Sequence, residues 1–164
     1  MEWCEAWGHY RGGLEKVLHA FKFERHDFLD DALASLLEET LHARGDLAFD
    51  AIVPVPMHRA KERRRGYNQA DLLGRALASR IGIGCEPRLL TKTAERAAQS
   101  KLNRRQRAAN VRGLFRAADE AKGRAVLLVD DICTTAETLR ACAAQLVRAG
   151  ATRVCAITVA KAGA

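Results

Sequence analysis

Paired cysteines are missing from this chain. Its five (Cys4, Cys85, Cys133, Cys142 and Cys155) stand singly, with no two in CxxC spacing. An odd, scattered set argues against both a disulfide framework and a zinc site, and most of the five are expected to be small buried apolar residues. Long apolar runs are missing too: none approaches the roughly 20 residues that span a bilayer. The opening MEWCEAWGHYRGG lacks the charged-then-apolar layout of a secretory signal. A cytoplasmic protein is expected. Internal repeats and low-complexity linkers are also absent, so the 164 residues are expected to form one compact domain, long enough to bury a real core.

Aromatic residues make up 5% of the chain, and none lies between Tyr67 and Phe115. Base stacking therefore has little support in that stretch. Cationic residues are plentiful there. Residues 58–65 carry five Lys/Arg against one Glu, and residues 88–116 carry nine against one. The net charge of the whole chain is only +7, so the rest of it is acidic on balance. Two basic segments on such a body suit a phosphate-rich ligand, either a small polyphosphate or nucleic acid.

The first third reads as helical. Leu14, Val17, Leu18 and Phe21 fall on one face of a first helix, and a second is expected from Asp27 to His42, stopped by Arg44-Gly45-Asp46. FDAIVPVP (49–56) is a short β-branched run ended by prolines, the pattern of a buried strand leading into a rigid loop. RGYNQADLLGRALASRIG follows as a helix, with Gly66 or Asn68 near its start. A strand is expected around Glu86–Leu90. The polar, basic residues 91–113 lack an apolar stripe and are expected to form a long connection. A short strand at Gly113–Arg116, the strand RAVLLVDDI, the helix ETLRACAAQLVRAG and the strand TRVCAITVAKA complete the chain. Strand and helix alternate from residue 49 onward, which predicts an α/β domain with a largely parallel sheet.

VLLVDDICTTAETL (126–139) holds the clearest chemistry. In an open parallel sheet, ligands sit beyond the carboxyl ends of the strands. Asp130 and Asp131 take that place, and the next helix begins a few residues later. Its N-terminus offers free backbone N–H groups and partial positive charge for a phosphate. The loop residues Cys133, Thr134, Thr135, Ala136, Glu137 and Thr138 contain three hydroxyl donors. Paired carboxylates repel a phosphate but suit the two hydroxyls of a ribose, or Mg²⁺. The pattern describes a cradle for ribose 5-phosphate.

On these residues, the stretch resembles the phosphoribosyl pyrophosphate (PRPP) motif of type I phosphoribosyltransferases. HYRGGLEKVLHAFKFERH, FDAIVPVPMHRAKERRRGYNQADLLGRALA and SKLNRRQRAANVRGLF are similar to segments of the ComF family, phosphoribosyltransferase-like proteins associated with competence for DNA uptake. The resemblance covers nearly all of residues 9–161. It implies a type I phosphoribosyltransferase-like parallel sheet flanked by helices, with an N-terminal helical hood over residues 1–48 and the core over 49–164. Mg²⁺ is the implied cofactor, held directly or indirectly by Asp130 and Asp131. Pro54, Val55, Pro56 and Arg59 are implied in pyrophosphate contact. Residues 91–113 correspond to a closing loop, with Lys92, Arg104, Arg105 and Arg107 as its cationic candidates. Tyr10, Phe21 and Phe23 of the hood are the implied acceptor side. Single-stranded or branched DNA, a helicase-like partner and a homodimer are the implied associations. Two departures stand out. ComF relatives usually carry an N-terminal zinc ribbon, of which only Cys4 remains here, and the motif commonly has Gly where this chain has Ala136.

Overall fold

The computed structural model describes residues 1–23, 27–93 and 113–163. Its main sheet has four parallel strands: β1 (Cys4–His9), β2 (Ala51–Pro54), β5 (Ala125–Cys133) and β6 (Arg153–Lys161), in the order β1-β6-β5-β2. A two-stranded antiparallel ribbon joins β3 (Leu90–Lys92) to β4 (Phe115–Ala117). The helices are α1 (Gly12–Phe23), α2 (Asp30–Arg44), α3 (Arg59–Arg65), α4 (Gln69–Ile81) and α5 (Glu137–Arg148).

A sheet covered on both faces has strands that are apolar all round. The central strand β5 shows this directly. Its Val126 and Leu128 pack with Leu139, Cys142 and Leu146 of α5, and with Phe115 of the ribbon. Leu127 and Val129 point the other way, into a cluster with Leu18 and Phe21 of α1, Leu33, Leu37 and Leu41 of α2, and Leu73 and Leu77 of α4. The expected α/β class and parallel sheet are therefore present. Cys133, Cys142 and Cys155 are buried, and all five cysteines are free. No helix among the described residues is long and apolar enough to cross a membrane.

Four local features differ from the sequence expectation. CEAWGH is a strand, β1, paired in parallel with β6, although nothing before residue 49 reads as one. Residues 59–65, where the sequence suggests only a basic stretch after a rigid loop, form the helix α3. It buries none of its residues and is bounded by the His58 side chain, which accepts from the Ala60 N–H, and by Gly66 at φ 95°. The strand expected at Glu86–Leu90 is a 3-10 turn over Pro87–Leu89 that feeds β3. Val17, placed on the inner face of α1 by its spacing, is 38% exposed.

Candidate functional site

The strand ends β2 (Pro54) and β5 (Asp130 to Cys133) lie side by side, since β2 and β5 are paired with Pro54 opposite Val129. A cleft of about 370 Å³ opens beyond them. Asp130, Asp131, Thr134 and Thr138 line it from β5 and the loop that follows, Val55 and Pro56 from the loop after β2, and Lys22, Lys61, Arg65 and Lys92 from around it.

Asp131 is 6% exposed. Its Oδ1 accepts from the Ile132 N–H at 2.8 Å. Its Oδ2 faces Lys22 Nζ at 3.4 Å, an ion-pair distance, yet receives no hydrogen bond from the described residues. A buried carboxylate oxygen without a donor has an unmet bonding capacity. Asp130 is half-buried, and its Oδ1 accepts from the Asp131 N–H at 2.9 Å. Burial, and then the neighbouring Asp131 carboxylate, push Asp130 well above the usual carboxylate range. Lys61 is open to solvent at the rim. Even so, desolvation by the cleft walls, and then the like charges of Arg65, Lys22 and Lys92, push its ammonium below the ordinary value. Cations thus crowd a space whose described walls hold only two carboxylates: an anionic group would ease the crowding of the cations, whereas the acid pair suits hydroxyl donors or a cation.

After β5 the chain turns into α5 through Ala136 at φ 56°, ψ 6°. Among the described residues Ala136 alone combines a side chain with positive φ. The left-handed conformation opens the turn and leaves the first N–H groups of α5 with no side-chain cap. Thr134 and Thr135 are exposed at this turn, while Cys133 is buried in the apolar cluster beneath it. Cys133, Thr134, Thr135 and Ala136 also border a separate cleft of about 490 Å³ against β1. Glu137 opens α5 as an acidic first-turn residue.

Three consecutive residues at the head of α4 fix the remaining walls. Tyr67 Oη donates to the Phe21 carbonyl at 2.5 Å. Asn68 Nδ2 donates to the Val55 carbonyl at 3.1 Å, and its Oδ1 accepts from the Ala70 N–H at the start of α4. Gln69 Nε2 donates to the Lys22 carbonyl at 3.3 Å, and its Oε1 accepts from Arg65 at 2.8 Å.

Of the residues singled out from sequence, the fold brings Asp130, Asp131, Thr134, Thr138, Val55, Pro56 and Lys92 to one cleft. Arg59 lies with Pro54, Pro56 and Lys92 in an adjoining cleft of about 520 Å³. Arg104, Arg105 and Arg107 lie outside the described residues. Of the three aromatics expected on the acceptor side, Tyr10 lines the acid cleft and Phe23 is 58% exposed beside it, but Phe21 is fully buried and cannot meet a ligand. Lys22 was not singled out from sequence, and Lys61 and Arg65 were read only as members of a basic run suited to a phosphate-rich ligand. Lys61 and Arg65 belong to a basic run that gives no hint of which side chains turn inward, and Lys22 is one lysine at a helix end.

A family model for the phosphoribosyl transferase domain matches residues 67–164, and the chain belongs to that family. Its relatives include the DNA utilization protein YhgH of Escherichia coli (strain K12), 36% identical over 149 residues, which are 88% of this chain and 66% of that protein. Competence protein F of Haemophilus influenzae is 33% identical over 139 residues, 80% of this chain and 61% of that one, and it bears out the expected ComF kinship. The chain spans about two thirds of the length of these relatives. Among solved structures, the glutamine PRPP amidotransferase of B. subtilis complexed with ADP and GMP has a TM-score of 0.58 at 19% identity, over 85% of this chain and 30% of that one. The allosteric regulatory enzyme of purine biosynthesis has a TM-score of 0.56 at 20% identity, over 86% and 30% of the two chains. At such identities the likeness establishes the fold alone.

Proposed function

We propose that the chain binds PRPP with Mg²⁺ and acts as a phosphoribosyltransferase-like protein. One observation carries this reading: two adjacent carboxylates lie near the carboxyl end of the central strand, shortly before a helix start without a side-chain cap, in a cleft ringed by cations. The unpartnered Oδ2 of Asp131 and the adjoining Asp130 carboxyl fit a sugar diol, whose hydroxyls donate to carboxylate oxygens. The same two acids fit Mg²⁺, which is commonly held by one or two carboxylates together with substrate phosphates. Bound there, Mg²⁺ would supply positive charge to the pyrophosphate oxygens.

The chain's own groups divide the remaining work. Asp130 and Asp131 orient the ribose, and the Thr134–Thr138 turn holds the 5′-phosphate with backbone N–H groups and hydroxyls. Lys61, Lys92 and Arg59 face the pyrophosphate side. As the bond from the anomeric carbon to the pyrophosphate oxygen breaks, its electron pair leaves with pyrophosphate, and fixed cations stabilise the charge that develops. Calorimetry with PRPP and Mg²⁺ tests the reading on the wild type, Asp130→Asn and Asp131→Asn. Saturable binding that either substitution weakens is expected, and an unchanged baseline in the wild type overturns it.

A second reading draws on the basic helix α3, which buries none of its residues, and on relatives named for DNA utilization and competence. In it, the exposed cations bind single-stranded or branched DNA by phosphate contacts. Such binding would weaken steeply with salt and ignore substitution of the acid pair, so the same variants separate the two readings.

A further inference from the structure

The two edges of the main sheet are finished differently. β2, at one edge, is short and ends on Pro54, and residues 84–86 lie along its outer side. The Ile52 N–H donates to the Gly84 carbonyl at 2.9 Å, and the Ile52 carbonyl accepts from the Glu86 N–H at 2.8 Å. β1, at the opposite edge, has no described segment paired with its outer side. A bare edge offers unpaired N–H and C=O groups to any extended chain, and proteins usually blunt it with Lys, Pro or a bulge. β1 carries none of these. CEAWGH contains no Lys or Pro, and its register runs from Cys4 opposite Ala156 to His9 opposite Lys161 without an inserted residue.

The cleft of about 490 Å³ against β1 follows the strand's whole length. All six residues from Cys4 to His9 line it, a run of about 20 Å at about 3.3 Å per residue. Arg140 and Lys161, both exposed, stand along it with the turn after β5. The side chains of Glu5 and Trp7 are held by α2: Glu5 Oε1 accepts from Arg44 at 2.8 Å, and Trp7 Nε1 donates to Glu39 at 3.1 Å. Strand alternation therefore turns Cys4 and Ala6 to the other face, where their small side chains leave room. Glu5 is the one acid among the lining residues, and Arg44 already meets its charge. Arg140 and Lys161 give the groove a surplus of positive charge.

We propose that β1 is a docking edge for an extended acidic segment of a partner protein, which adds to the main sheet as a fifth strand. Backbone pairing with β1 supplies the affinity, and alternate Asp or Glu side chains reaching Arg140 and Lys161 supply the selectivity. A neutral or basic segment would find the same backbone without the countercharge. A second copy of this chain fits less well. It would set CEAWGH against CEAWGH and bring only Glu5, which Arg44 holds. Docking at this edge uses neither Asp130 nor Asp131, so it stands apart from the PRPP reading.

Labelled peptides of about ten residues, a full strand length, test this by fluorescence anisotropy on the full chain. One alternates Glu and Thr, a second has Lys in place of Glu, and a third has Pro in place of the central Thr residues. The Glu peptide is expected to bind about tenfold more tightly than the Lys peptide. Proline should weaken it by about tenfold as well, since Pro cannot donate to a strand ladder. Arg140→Gln combined with Lys161→Gln alters two exposed side chains and leaves the fold intact. It should bring the Glu and Lys peptides to within about threefold of each other. Hydrogen exchange should slow at amides within Cys4–His9 when the Glu peptide is bound. Absence of binding, equal affinity for the Glu and Lys peptides, or indifference to proline overturns the proposal. A dimer of the chain, seen by sedimentation, that protects these same amides also overturns it, because a second copy is then the occupant. So does a single-stranded oligonucleotide that displaces the Glu peptide, depends on Arg140 and Lys161, and leaves exchange at β1 unchanged.

Discussion

Lys22 Nζ stands 3.4 Å from Asp131 Oδ2, so the last turn of α1 is joined by charge to the end of the central strand. The Asp131 side chain is only 9% exposed, whereas Lys22 keeps 28% of its own. Breaking a fully buried pair costs roughly 3–5 kcal/mol because a charge is left uncompensated. With Lys22 partly in water, Lys22→Met is expected to cost about 2 kcal/mol. Urea denaturation measures this, and adding Asp131→Asn to the variant should return part of the loss. Independent, additive effects of the two substitutions would show that the contact contributes nothing.

Ala136→Gly should stabilise the protein. An L-residue in the left-handed region costs roughly 1–2 kcal/mol, while the extra freedom of unfolded Gly returns roughly 0.5–1 kcal/mol of that. A net gain of about 0.5–1 kcal/mol is expected at the φ of 56° found here. A higher melting temperature and a tighter PRPP titration are the readouts. A lower melting temperature would mean that the Ala136 methyl contributes packing that outweighs the strain.

This turn also shows how much could be read in advance. The acid pair and its loop were legible because one strand and the next helix carry them contiguously, with the apolar run Val126–Val129 marking the strand. Ala136 stood out against the family's usual Gly, and its backbone supplies the reason. β1 was not legible: CEAWGH contains Glu, Gly and His, and only its pairing with β6, some 150 residues away in sequence, makes it a strand. α3 has no apolar stripe to announce it, being held by its two ends instead. The cation ring escaped for a similar reason. Nothing local tells Lys22 and Lys61, which reach the acid cleft, from Lys16 or Arg63, and tertiary placement decides it.

Acid should weaken the N-terminal strand's anchorage. Asp46 accepts from both terminal nitrogens of Arg153 on β6, and also from Trp3 Nε1 at 3.0 Å. Hydrogen bonding from Arg153 leads the causes that hold its carboxyl down to about 2. A folded pKa below the unfolded value adds stability that is present above about pH 4 and lost as pH falls toward 2. The contribution is about 2 kcal/mol, from a pair 23% and 18% exposed. Asp46→Asn should therefore unfold more easily at pH 6 and lose less between pH 5 and pH 2. Parallel stability curves for the two proteins would contradict the assignment.

Asn68→Ala removes a helix cap and a loop contact together. The cap alone contributes about 1 kcal/mol, and the bond to the Val55 carbonyl brings the expected loss to about 1–2 kcal/mol. Because Val55 belongs to the loop expected at the pyrophosphate, PRPP affinity should fall several-fold as well. Thermal melts and calorimetry separate the two effects. Undiminished PRPP affinity would mean that the prolines on either side hold the loop without help.

Tyr67, Asn68 and Gln69 grip three carbonyls in succession: that of Phe21, that of Val55 and that of Lys22. Two of these belong to α1 and one to the loop after β2, so a single tripeptide splints parts of the chain more than thirty residues apart. Mechanically, the helix that carries Lys22 and Phe23 and the loop proposed to face the leaving group share one hinge at the head of α4. Neither can be displaced without pulling on the other. A ligand that shifts the loop is therefore felt at the opposite wall, and the two halves of the site open or tighten as one part.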